Sequence, residues 1–294
     1  MQREKRTKSG RLLEIDFYPV LADGRRAPSR APKTKRSTEE QKRYNIKKQI
    51  KNFVRVVNAN FFTGDVWMHP TFAPKNACFT IEDAKREVAN YFRRVKYTRE
   101  ALLRRLRAEL RKNTDNSTLK ARVKKLSAPF RYAYRIAEST YKRGNKKGQV
   151  SFHFHIFMTG GLEREFLEEL WTLGAANADR YRPDLFGPET AALYTAKVSE
   201  GELKFGYSKN LVRPEVLEPI DGEITARGVE RLATLHIDDA KYWERRYRGY
   251  KFMRCYARYN EYNGFWYVTA VMYKPENPDA ELPEWKPREW MDEG

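Results

Sequence analysis

"VSFHFHIFM", Val150 to Met158, sets two histidines one residue apart in an otherwise apolar run. Side chains of a strand alternate between its two faces. Phe152, Phe154, Ile156 and Met158 then point into a core, while Ser151, His153, His155 and Phe157 point the other way. The two imidazoles share a face, roughly 6.6 Å apart along the strand. Imidazole is the commonest metal ligand, so convergence on one ion competes with two histidines that hydrogen-bond or face solvent.

The preceding segment supplies a partner strand. "FRYAYRIAESTY" is predicted as a strand, "KRGNKKGQ" as a turn, and "VSFHFHIFM" as the returning strand. With "GNKK" as the turn, Arg143 faces Gly148 and Glu138 faces His153. Directly opposed residues share a face, with Cβ atoms about 4.5–5.5 Å apart. The expected metal site is therefore Glu138, His153 and His155, and a one-residue slip would dismantle it. Few protein ligands leave positions for water or a phosphate oxygen. Carboxylate and imidazole without thiolate suit Mn²⁺ or Mg²⁺, with zinc also allowed.

Around this hairpin the pattern is mixed helix and strand. Thr38 and Gln41 form a capping box that opens a helix through "EEQKRYNIKKQIKNFVRVV". "GDVWMHPTFAPKN" is predicted as a strand, with Pro70 arguing for an edge or a bulge. Thr80 and Asp83 cap a second helix with Ala84, Val88, Phe92 and Val95 on one face. "TREALLRRLRAELRK" and "TLKARVKKL" are predicted as two basic amphipathic helices broken at "NTDNS". Leu162, Phe166, Leu170 and Trp171 mark another helix, and "FGPETAALYTAKVS" a further one begun by Pro188. Asn263-Gly264 is a hairpin signal between two aromatic strands. The expected fold class is α+β, a central antiparallel sheet flanked by helices. The expected division is a basic arm over 1–50, a core domain over 51–214, and an accessory region over 215–294 with the hairpin.

Composition bounds the partners. With 58 Lys and Arg against 39 Asp and Glu, the 294-residue chain carries a formal charge of +19. Such a surplus suits a polyanion, because neutralising phosphate releases counterions. The basic residues interleave with Tyr, Phe and Trp, which stack on bases, so nucleic acid is the expected partner. The basic "RRAPSRAPKTKR" is either a linker that lies along a DNA backbone or a solubilising tail. Cys78 and Cys255 make neither a disulfide framework nor a thiolate zinc site. No run approaches 18 apolar residues, and the start lacks a long apolar signal core. The expected setting is reducing and cytoplasmic.

A second informative stretch is "AALYTAKVSEGELKFGYSKNLVRP". On a helix Tyr194 and Lys197 are i and i+3 and share a face. A phenol beside a metal-bound phosphate can attack phosphorus, and a lysine can stabilise charge there. Packing or base stacking are the competing roles, since the chain has 18 tyrosines.

Taken together, these motifs resemble the HUH endonucleases that start rolling-circle replication. The likeness is to replication-associated proteins of phages and mobile elements, the filamentous-phage gene II type. Their His-hydrophobic-His metal motif is matched by His153, Phe154 and His155, and their Tyr-x-x-Lys motif by Tyr194 and Lys197. "FGYSKNLVRP", with Tyr207, Ser208, Leu211 and Pro214, is similar to a downstream family segment with tighter spacing at its start. Glu138 matches an upstream glutamate, and "NANF" with the strand ending "TFA" resembles a first motif. The resemblance spans roughly residues 25 to 214. "WMHPTF" departs from that motif: His69 is either a local oddity or an additional polar group near the site. Val198 stands where relatives often carry a second tyrosine, which implies a single-tyrosine enzyme.

The resemblance implies a ferredoxin- or RRM-like topology and a reaction. Tyr194 would attack the scissile phosphate of single-stranded DNA at a replication origin and retain the 5′ phosphate. The freed 3′ hydroxyl would prime synthesis by the host replication machinery, and a later 3′ hydroxyl would rejoin the strand. No nucleotide cofactor is needed, which agrees with the absence of a Gly-x-x-x-x-Gly-Lys-Ser/Thr loop. A relaxase or single-tyrosine transposase with the same chemistry, and a non-catalytic basic DNA-binding protein, are the rival expectations. Tyr207 is the next candidate nucleophile.

Overall fold

A computed structural model describes residues 1–20, 38–140, 147–183, 190–196 and 204–276. The fold is α+β, with two antiparallel sheets flanked by helices rather than one central sheet. The chain divides into two compact units. One takes in the N-terminal segment through Ala59 and the segment from Arg213 onward; the other takes in Asn60–Pro183 and Ala191–Val212.

In the first unit, β1 (Gln2–Ser9) and β2 (Leu12–Pro19) form a hairpin. Gly10 turns it with φ +59° in a two-residue loop between paired Ser9 and Leu12. That is the glycine-first turn that matches strand twist, and a Cβ at Gly10 would also strike the carbonyl oxygen of Asn58. The segment expected as a basic arm thus begins as two sheet strands, and "RRAPSRAPKTKR" lies outside the described residues. Near the other end, β10 (Lys251–Asn260) and β11 (Phe265–Tyr273) form the hairpin that Asn263-Gly264 predicts. β11 pairs with β2, so the N-terminal hairpin and the last of the described strands share one sheet, which the short strands β8 (Glu215–Val216) and β9 (Ile220–Asp221) extend along β1.

Leu13, Ile15, Phe17, Val268, Ala270 and Met272 cover one face of this sheet. They pack against Val229, Leu232 and Ala233 of α6 (Ala226–Leu235) and Trp243 of α7 (Ala240–Arg246). The other face turns toward α1 (Glu39–Asn60), whose Lys51 and Arg55 ion-pair with buried Glu14. Thr38 caps α1 as predicted, accepting from Gln41 N at 3.2 Å, but the reciprocal half of the box does not form: the Gln41 side chain donates to Asn45 Oδ1 at 3.1 Å instead.

The second unit is a five-stranded antiparallel sheet in the order β6-β3-β5-β4-β7. Its strands are β3 (Val66–Pro70), β4 (Tyr132–Thr140), β5 (Val150–Met158), β6 (Ala176–Arg180) and β7 (Lys204–Tyr207). Pro70 is neither on an edge strand nor at a bulge. It closes an inner strand, where its missing N–H interrupts little of the ladder.

One face of this sheet carries Val66, Met68, Ile136, Phe152, Phe154, Ile156 and Met158. They pack with α2 (Ile81–Lys112), α3 (Ser117–Ser127) and α4 (Arg164–Glu169). Thr80 caps α2 by accepting from Asp83 N at 3.1 Å, a contact that contributes about 1 kcal/mol. Ala84, Val88, Phe92 and Val95 are all buried, as the spacing predicts. "TREALLRRLRAELRK" is not a separate helix but the second half of α2, and Asn116 caps α3 after the break. Buried Arg99 joins these elements, donating to the carbonyls of Gly160, Leu126 and Ala128. No helix of the described residues is long and apolar enough to cross a membrane.

Candidate functional site

β5 is the middle strand of its sheet, and its alternation is as expected: phenylalanines into the core, histidines onto the opposite face. The register beside it is not. Glu138 pairs with Phe152, and it is Ala137 that lies opposite His153 and Arg135 opposite His155. Glu138 therefore belongs to the face away from the imidazoles. The expected register rested on a turn length counted from "GNKK", and a slip of one residue moves every side chain across the sheet. Part of that turn, residues 141–146, lies outside the described residues.

The neighbour on the other side brings a third imidazole. β3 pairs with β5 through Trp67 opposite Phe157 and Met68 opposite Ile156, and Thr71 bridges to His153. His69 consequently shares the face of His155. Three of the chain's four histidines meet there. The His69 and His155 ring centres are 4.8 Å apart, and those of His153 and His155 5.1 Å. Nε2 of His69 and Nδ1 of His155 are buried and make no hydrogen bond among the described residues. "VWMHP" carried the readable signal, since alternation puts Trp67 and His69 on one face. What it lacked was the strand they would meet.

Burial keeps these rings neutral. It holds His155 far below the usual imidazole range, at about 3, and His69, His153 and the Arg135 cation push in the same direction. His153 is lowered by burial and then by Arg135. His69 is lowered by burial, against an opposing pull from Asp179. Neutral imidazoles with unpartnered nitrogens are the state in which histidine accepts a cation. Yet among the described residues no group of three or more His, Cys, Asp or Glu side chains stands preformed to hold a metal ion.

α5 (Thr190–Ala196) lies on this face and carries Tyr194. The half-exposed phenol ring stands edge-on to its neighbours, 5.6 Å from His155, 6.3 Å from His69 and 5.8 Å from Trp67, centre to centre. Fully buried Thr195 anchors the helix. Its carbonyl accepts from Arg135 Nη1 at 2.9 Å, and its hydroxyl accepts from Trp67 Nε1 at 3.2 Å. Arg135, buried and next to His155, thus ties the helix to the sheet and places a cation under the histidines. Neither Arg135 nor Thr195 was singled out by motif, because their roles depend on strand register.

Lys197 and Pro188 lie outside the described residues. Tyr207, the alternative nucleophile, ends β7 opposite Ala133. Next to it, Ser208 Oγ accepts from Tyr132 N at 3.1 Å, tying the start of "YSKNL" to β4.

Comparison with protein-family models, with curated proteins and with solved structures returns no match to this chain.

Proposed function

We propose that the chain is a metal-dependent single-strand DNA nicking and joining enzyme of the HUH type, acting through Tyr194 to initiate rolling-circle replication. The observation that carries this is the edge-on stacking of an exposed tyrosine over His155 and His69, on the face that gathers three histidines. Two of those rings, one of them His155 from the His-x-His strand, present nitrogens without a hydrogen-bond partner among the described residues. A ferredoxin-like reading of the second unit is supported by its antiparallel sheet, with the histidine strand in the middle and helices on the core face.

The residues that would hold the divalent ion are His153, His155 and His69, the last taking the part expected of Glu138; without the carboxylate that favoured Mn²⁺ or Mg²⁺, an all-imidazole set suits zinc at least as well. A bound divalent ion would supply Lewis-acid polarisation of the scissile phosphate. The Tyr194 oxygen loses its proton and forms the bond to phosphorus. The bond from phosphorus to the 3′ oxygen breaks, and that oxygen takes a proton to leave as a 3′ hydroxyl. The phosphotyrosine keeps the energy of the broken bond, so a later 3′ hydroxyl reverses the step and no nucleotide is spent. Arg135 and Trp67 hold Thr195 and so fix where the phenol stands. Lys197 assists at the phosphate, the host replication machinery extends the freed end, and the setting is the cytoplasm of a bacterial or phage-infected cell.

The test is incubation with a randomised pool of labelled single-stranded oligonucleotides and Mn²⁺, followed by denaturing electrophoresis. An SDS-stable adduct formed by the wild type, and absent from the His153→Ala/His155→Ala variant, is the expected result. Sequencing the trapped DNA separates an origin from a transfer site or transposon end, which are the relaxase and transposase readings. The non-catalytic reading draws on the lack of a preformed metal group. It predicts DNA binding with no adduct under any divalent ion.

A further inference from the structure

Among the described strands of the first unit, β10 stands at the sheet edge, paired to β11 alone. Its alternation separates two kinds of residue. Cys255 and Ala257 turn inward and pack with Trp266 against the core under α6 and α7. Arg254, Tyr256 and Arg258 occupy the opposite face, where Tyr256 pairs with Thr269 and Arg258 with Tyr267.

The cations and rings on this face are organised as couples. The Arg254 guanidinium lies 5.9 Å from the centre of the Tyr256 ring, and that of Arg258 lies 5.9 Å from Tyr267. Each couple orders a long side chain against a ring in advance, which lowers the entropy lost when a ligand arrives. Tyr256 and Arg258 are exposed. The acidic groups of this face on β2 are already engaged. Glu14 is held by Lys51 and Arg55, and Asp16 by Lys51 and the Thr269 hydroxyl. Among the described residues this face presents arginines and tyrosines, with Arg254 and Tyr267 half-buried and residues of one side recurring about every 6.6 Å.

This combination matches one ligand chemistry. Phosphates meet arginines, and unpaired bases meet tyrosine rings whatever their sequence. A duplex offers the same phosphates but keeps its bases stacked inside, so the rings add nothing to duplex binding. A membrane would favour an aliphatic anchor, and this face has tyrosine and arginine instead; a protein partner also uses those residues, and the +19 charge of the chain favours the polyanion over it. We propose that the Arg254–Tyr256–Arg258–Tyr267 face is a second, non-catalytic binding surface for single-stranded DNA. The choice of DNA over RNA rests on the nicking reading; the stacking chemistry does not.

The test is fluorescence anisotropy of labelled oligothymidine, and of a duplex of equal length, with EDTA and the Tyr194→Phe background so that no cleavage intervenes. Tyr256→Ala/Tyr267→Ala lowers oligothymidine affinity by roughly tenfold or more and leaves duplex affinity unchanged. Tyr256→Phe retains binding, because the ring rather than the hydroxyl stacks. Tyr97→Ala, at an exposed ring on α2, binds like the parent. An unchanged melting temperature in the double variant assigns the loss to the surface. Oligothymidine binding equal to the parent overturns the proposal, as does an equal loss for single strand and duplex. Because neither metal nor Tyr194 takes part, this outcome is separable from the presence or absence of a covalent adduct.

Discussion

His69 occupies the position from which a third imidazole completes the pair on β5, and Glu138 does not. His69→Ala should lower Mn²⁺ affinity by about 10–100-fold or more, the range that even outer-shell partners of a metal ligand command. Glu138→Gln should leave it unchanged. Calorimetric titration of the three proteins with Mn²⁺ checks this, and a large loss in Glu138→Gln alone would restore the carboxylate as ligand. Protonation gives an independent reading of the same residues. His155 falls from an ordinary value of 6.5 to about 3 in the fold, so the unfolded chain binds its proton more readily. Its contribution to stability is complete above pH 6.5 and is lost as the pH falls toward 3. Metal-free protein should lose stability between pH 6.5 and 5 at up to about 1.4 kcal/mol per pH unit on account of His155. His155→Asn should make the slope shallower in urea titrations, and an unchanged slope would contradict the buried neutral ring.

At the scale of elements, the site depends on how α5 is seated. Thr195→Val keeps the branched shape but removes the hydroxyl that accepts from Trp67 Nε1. Losing this contact to a half-buried donor costs about 1 kcal/mol locally. The expected result is slower adduct formation with unchanged Mn²⁺ affinity, and equal rates in variant and wild type would show that the seat is immaterial. The elements themselves were largely readable. Thr38, Thr80 and Asn263-Gly264 announced two helices and a hairpin, because capping and turn chemistry are local. Alternation assigned both faces of β5. The register of Glu138 was not readable, because it depends on a turn length and on the strand across it. The placement of His69 against His155 was equally hidden, since Met68 and Ile156 come from segments far apart in the chain. "SGRL" was a legible turn that the basic character of the first residues masked, and Leu12, Ile15 and Phe17 prove to be core.

Over the whole molecule, a charge of +19, an Arg–Tyr face on the first unit and a histidine–tyrosine site on the second all suit the proposed substrate, a single strand of DNA. Binding to oligothymidine should weaken with salt, log K falling by about 0.7 per phosphate contacted for each unit of log salt. Arg254→Gln/Arg258→Gln should reduce that slope, whereas Tyr256→Ala should lower affinity at every salt concentration with the slope preserved. A salt-independent affinity would contradict phosphate recognition altogether. The central claim is chemical and concerns one oxygen atom, that of Tyr194. It is tested most directly by trapping the adduct with single-stranded DNA and Mn²⁺, digesting it, and locating the nucleotide-bearing peptide by mass spectrometry. The account predicts a phosphodiester-linked nucleotide on Tyr194 and none in Tyr194→Phe. Modification of Tyr207 instead, or DNA bound with no modified tyrosine at all, would contradict it.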